Sequence, residues 1–207
     1  MLFPSLPISS RLAILVLLLA LAALADWCVH RSAATRWKEY SFLLAAAFFG
    51  ALFGLVNDAL TSWLSPAYFI YAKGIAAGPH FRQQALTLGF QAGFGAAFIA
   101  AACYLFANNP KPGLPSLPYR QLSAFILRPL LAALILALVL GITSRWFIPP
   151  TVDSPLASVI GPAAAVWFWR VWCIHFGLYL GLLLGTISAC FAIRRARRTL
   201  AKHPPQP

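Results

Sequence analysis

The chain has 207 residues, of which 61% are hydrophobic and only 10% charged, and its mean hydropathy is +0.78. A soluble domain carries about a quarter charged residues, so this composition excludes a soluble globular protein and points to a membrane protein. The formal net charge of +12 does not point to nucleic acid, because Lys and Arg sit at the ends of apolar runs and in a terminal cluster instead of forming a basic face.

In chain order, Arg11 precedes the apolar run LAILVLLLALAALA, in which Ala23-Leu24-Ala25 before Asp26 has the form of a signal-peptidase site. The flank after this run, with Arg31, Arg36 and Lys38, is more basic than the flank before it, the reverse of a signal peptide. Residues 11–29 therefore read as a retained first span. The second span is 40–63. Residues 65–83 form a connection punctuated by Pro66, Gly74, Gly78 and Pro79. The third span is 84–106, and NNPKPGLPSLPYRQ after it is a polar, proline-rich loop. The fourth, 129–148, opens at Arg128-Pro129, where proline suits a helix start. Residues 149–170 begin PPTVDSP, then turn apolar and aromatic, and predict a short interfacial helix. The fifth span is 171–193, followed by a basic tail over 194–207. Each span has close to the 20 residues needed to cross about 30 Å of hydrocarbon. The expected fold is a single all-α polytopic transmembrane bundle of about five spans with no soluble domain.

Lys and Arg at alternate ends of these spans divide unequally. The set holding the 28–39 loop, the 108–128 loop and the tail has 11, and the opposite set (Arg11, Lys73, Arg82, Arg145, Arg170) has 5. The positive-inside rule then puts the N-terminus outside and the C-terminus in the cytoplasm of a bacterial inner membrane. Aromatics such as Trp63, Tyr68, Trp146, Trp169 and Trp172 gather near the outer boundary, as an interfacial belt requires.

Small residues recur every four positions at Gly50 and Gly54, at Gly89 and Gly93 with Ala97, and at Gly177, Gly181 and Gly185. Such stripes let helix backbones approach closely and are read as packing surfaces. Asp58 continues the first stripe and reads as the one acidic residue inside an apolar segment. It lies roughly 7–8 Å below the outer interface, at 1.5 Å per helical residue. An ionised carboxylate at that depth costs several kcal/mol unless it is paired, protonated or wetted. Depth along the spans puts His175, Gln91 and Arg145 near the same level, so that with Asn57 they predict one polar patch in the outer leaflet. Rotation about each helix axis is left open by that arithmetic.

Cys28, Cys103, Cys173 and Cys190 lack the short spacing of a metal site and read as small apolar packing residues. No metal or cofactor is expected. GxSxG, HExxH, Walker A and dinucleotide glycine patterns are all missing from the sequence.

The stretch GLVNDALTSWLSPAYF resembles a pattern found in small bacterial polytopic membrane proteins of no assigned function. In those, a span ends in Asn or His before Asp or Asn, then Thr, and a Ser-Pro-Glu-Tyr-Phe-like stretch follows. A later Arg-Pro and a His near the start of the last span match Arg128-Pro129 and His175. The resemblance covers about residues 45–195, leaving the first span outside it. Ala59 and Ala67 stand where a glutamine and a glutamate are usual. The resemblance implies topology and highlights Asp58, Pro66, Tyr68 and Phe69, but it implies no activity.

Three functions follow from these residues. The leading one is a non-catalytic accessory subunit that binds a membrane-protein partner or a second copy. The second is a small transporter or channel subunit coupled to protons or cations through Asp58. The third is a membrane-embedded enzyme on a lipid-linked substrate, with Asp58 and His175 as acid and base. In all three the lipid bilayer is the medium, and nucleic acid is not a partner.

Overall fold

The structure, a computed structural model, describes residues 7–149 and 153–202. It is all helix, with no β-strand among the described residues. The elements are α1 (Ile8–His30), α2 (Arg36–Leu64), α3 (Pro66–Tyr71), α4 (Phe81–Asn108), α5 (Tyr119–Ser123), α6 (Leu127–Phe147), α7 (Pro155–Ile160) and α8 (Pro162–Lys202), with one 3-10 turn at Arg31–Ala33. Five helical segments are long and apolar enough to cross a membrane, and the protein is a multi-pass helical bundle. In hydrocarbon no water satisfies backbone N–H and C=O groups, so apolar runs of this length must pair them internally as helices.

The helix ends follow local chemistry. Ser65 Oγ accepts a hydrogen bond from Tyr68 N (3.3 Å) and Pro66 occupies the first position of α3, so the chain breaks after α2 and restarts at once. Ser154 starts α7 the same way, accepting from Ala157 N at 3.1 Å. Between α7 and α8, Gly161 adopts a φ of +87°, a conformation that favours glycine. Asp26, near the end of α1, uses one carboxylate oxygen to accept from Thr35 N (3.0 Å) and Arg36 N (2.9 Å). It thus caps the first turn of α2. Asp58 is therefore not the only acidic residue within an apolar helix, although Asp26 serves a helix end instead of a span interior.

Two segments differ from expectation. Residues 149–170 do not make one interfacial helix: α7 ends at Ile160, and Pro162 opens a 41-residue α8 that absorbs the rest. At 1.5 Å per residue α8 is about 60 Å long, twice the hydrocarbon thickness. No proline interrupts α8 after its first residue, so nothing halts it at the start of the expected fifth span. The basic tail is helical as far as Lys202, and residues 203–207 lie outside the described residues.

Part of the reason is Arg197, which is 2% exposed and faces carbonyl oxygens only. Its guanidinium donates to Ala107 O (2.6 Å), Asn109 O (2.7 Å), Leu114 O (2.8 Å) and Pro115 O (2.9 Å), tying the 109–118 loop to α8. Asn108 closes the same loop by exchanging two hydrogen bonds with the Leu117 backbone.

Packing divides the bundle into two tight hairpins. In α2–α4, Gly50 and Gly54 face Gly89, Gly93 and Ala97 so closely that a Cβ on Gly54 would strike Gly89 O. In α6–α8, a Cβ on Gly177 would lie 2.5 Å from Leu136 O, and one on Gly185 the same distance from Pro129 Cα. The hairpins meet mainly where α4 and α3 touch α8. Between α2 and α6 an apolar gap of about 280 Å³ remains, lined by residues such as Val56, Leu60, Leu138 and Ile142. α1 packs on the outside of the first hairpin, where Leu12 and Leu15 join Leu44, Phe90 and Phe98 around the buried Ala47, Ala51 and Phe94.

Candidate functional site

Asp58 is 6% exposed and His175 3% exposed, and they meet at the seam between the two hairpins. His175 Nε2 lies 3.1 Å from Asp58 Oδ1. Asn57 Nδ2 donates to the same oxygen at 2.9 Å and stands 3.4 Å from His175 Nε2. Gly89 makes room for the carboxylate: a Cβ there would sit 2.7 Å from Asp58 Cβ and 2.8 Å from Cγ. The close α2–α4 approach and the polar site are therefore one construction.

The other side of the imidazole determines its protonation. His175 Nδ1 is 3.0 Å from Val171 O, and a carbonyl oxygen only accepts, so Nδ1 carries hydrogen. In a neutral imidazole that leaves Nε2 as a lone pair facing Asp58 Oδ1. The 3.1 Å contact is attractive only when a proton lies within it, on the imidazole or on the carboxyl. With that proton in place the pair carries no net charge, which spares the buried site an isolated carboxylate. When that proton leaves, Asn57 Nδ2 remains as the one donor placed between both acceptors.

Aromatic rings close the site from the end of the bundle that holds α3. Tyr68 stacks on the His175 ring with centroids 4.6 Å apart and planes 30° from parallel, and Phe69 meets it edge-on at 5.8 Å. Burial pushes the Tyr68 phenol above its usual range, so it acts as a neutral ring. Lys73 follows α3, and Gly74 at φ +70° turns the chain just after it. The Lys73 ammonium donates to Tyr179 Oη at 3.2 Å and lies 5.5 Å from the Tyr68 ring centroid and 5.6 Å from that of Tyr179.

Below the pair runs a cleft of about 120 Å³ between the hairpins. Its walls are apolar, including Phe53, Gly93, Ala97, Leu130, Ala133 and Leu182, while Asn57, Asp58, Lys73, His175 and Tyr179 give it one polar end. Lys73 and Leu88 also line a second, open depression of about 450 Å³ with His80, Gln83, Gln84, Thr87 and Gln91. The cleft thus has a polar vestibule at the α3 end and hydrocarbon walls toward the middle of the bundle.

Asn57, Asp58 and His175 of the expected patch come together, whereas Gln91 and Arg145 do not join them. Gln91 lies two residues past Gly89, about 200° around α4 from the contact face, and belongs to the vestibule. Arg145 is exposed, its guanidinium 4.7 Å from the centroid of the Trp146 ring. The cation beside the cleft is Lys73 instead. It comes from a connection that depth along a helix does not place; the Lys73-Gly74 pair after an aromatic run was its only mark. Gly50, Gly54, Gly89, Gly93, Gly177, Gly181 and Gly185 all lie in helix contacts. Among the described residues no cluster of His, Cys, Asp and Glu has the form of a metal site, and all four cysteines are free. Comparison with known protein families, curated proteins and solved structures finds no match to this chain.

Proposed function

We propose that this protein is a small proton-coupled membrane transporter subunit, in which Asp58 and His175 share and release one proton beside a ligand cleft. One observation carries the reading: His175 Nδ1 is committed to Val171 O, so the Nε2 contact with Asp58 is made or broken by a single proton. That contact lies where the two hairpins meet, so gaining or losing the proton alters the force holding them together. The charged and titratable groups facing the pair are Lys73, Tyr68 and Tyr179; α4 contributes Leu88, Gly89 and further small apolar residues, and α6 contributes apolar residues.

The Lys and Arg distribution supports an orientation in a bacterial inner membrane with the α3 end outside and the tail of α8 in the cytoplasm. In that orientation the vestibule opens outward. Reporter fusions at the C-terminus check it: a cytoplasmic reporter is active and a periplasmic one silent.

Infrared titration of the reconstituted protein tests the proton reading. Among the carboxyl protonation events of the wild type, one is missing in Asp58→Asn and altered in His175→Gln. Identical titrations of wild type and Asp58→Asn would refute it. The accessory-subunit reading is separated by the same variants, since under it Asp58→Asn changes only folding or assembly. A second reading, an enzyme acting on a lipid-linked substrate with this pair as acid and base, is favoured by the lipid-facing α2–α6 gap, which reaches Asn57.

A further inference from the structure

We infer that the cleft and its vestibule bind a single-chain anionic amphiphile, with the headgroup at Lys73 and the hydrocarbon tail along the apolar slot between the hairpins. This rests on reading the cleft as a ligand site and names what the site takes.

Charge is the first argument. The described residues lining the vestibule are Lys73, His80, three glutamines, Thr87 and two apolar side chains, with no carboxylate. Lys73 has a phenol and two aromatic faces as neighbours, and among the described residues no acidic group pairs with it. The Asp58–His175 pair is internally neutral when it holds its proton, so it does not serve as a counter-ion. A half-buried ammonium with neutral partners, backed by amide donors, is complementary to a carboxylate or phosphate.

Polarity along the site is the second argument. From Lys73 and Tyr179 the lining passes through Asn57 and Asp58 to Gly50, Ala97, Leu130 and Leu182, and beyond the pair it is wholly apolar. From Asp58 to Gly50 is eight residues of α2, about 12 Å at 1.5 Å per residue, and the cleft's volume of about 120 Å³ admits the first part of a single hydrocarbon chain. Such an occupant lies as a leaflet lipid does, head at the boundary and tail inward, and reaches its place without inverting. A soluble anion lacks the tail to displace water from these walls, and an uncharged lipid leaves Lys73 unanswered.

Competition against radiolabelled dodecanoate on the full chain, in a neutral detergent, tests this. Unlabelled dodecanoate or dodecyl phosphate displaces it, whereas dodecanol and dodecyltrimethylammonium need at least about tenfold more, the consequence of losing one charge-assisted hydrogen bond. A preference for the phosphate identifies a phosphate-headed lipid, and a preference for the carboxylate a fatty acid; both support the inference. Lys73→Gln weakens dodecanoate by a similar factor and Lys73→Arg restores it. Equal displacement by the alcohol overturns the inference, a result that needs only the wild type and so does not depend on any variant folding. Folded Lys73→Gln binding as the wild type does would also overturn it. If anion selectivity is present while the Asp58 infrared event is not, the ligand class stands and the proton reading fails; the reverse result rejects the ligand class alone.

Discussion

Removing Asp58 and His175 singly and together reports the energy of the contact on which the site depends. In Asp58→Ala, His175 loses its partner while remaining 3% exposed, and in His175→Ala the carboxyl at 6% exposure keeps only Asn57. A buried polar group left unpaired costs about 1–3 kcal/mol, and breaking a buried ionic pair by removing one partner costs about 3–5 kcal/mol. Each single variant is therefore expected to lose about 2–5 kcal/mol. The double variant leaves only the half-buried Asn57 amide without its partners and should lose about 1–3 kcal/mol less than the sum of the singles. Asp58→Asn is the informative control. One amide atom takes the place of Oδ1, the oxygen that meets both neighbours, so with Nδ2 there it donates to His175 Nε2 and gives up the hydrogen bond from Asn57, keeping one of the two contacts. It should cost no more than about 1.5 kcal/mol, the net worth of a hydrogen bond. Reversible unfolding in mixed detergent micelles measures all four. Additivity of the two alanine variants within about 0.5 kcal/mol would show that the contact carries no coupling, and the reasoning would be refuted.

Gly89→Ala drives a methyl group to 2.7 Å from Asp58 Cβ and is expected to destabilise by about 1–3 kcal/mol, while Gly95→Ala, with nothing within 4 Å, is neutral or gains up to about 1 kcal/mol from helix propensity; the same unfolding assay compares them. Arg197→Met strands four carbonyl oxygens and should raise amide hydrogen exchange across residues 107–118 while leaving α2 protected, with a loss of about 3 kcal/mol or more. Uniform exchange across the chain would contradict the clamp. Tyr104 is 1% exposed and its hydroxyl makes no well-formed hydrogen bond among the described residues, with only the Thr186 side chain beside it, so Tyr104→Phe is expected to be neutral or stabilising by up to about 1 kcal/mol in thermal melts.

Spans, glycine stripes and the depth of each polar residue are one-dimensional properties, and the sequence by itself determined them. Hydrocarbon demands about 20 apolar residues per crossing and rewards small residues at four-residue spacing, so α2, α4, α6 and α8 and their contact faces were legible. The level shared by Asp58 and His175 was legible for the same reason. Depth does not specify which way a side chain points. Gln91 points away from the face of α4 that bears Gly89, and Arg145 lies more than a turn beyond Gly141, which is where α6 meets Ile174. Only the tertiary structure decided that Lys73 folds back over Tyr68 and Tyr179, since a turn at Gly74 brings it there independently of any helix period. It also decided that the hairpins pack tightly within and loosely between themselves. The glycines were spent inside each hairpin, and the seam was left to a proton, a few aromatic rings and an open cleft.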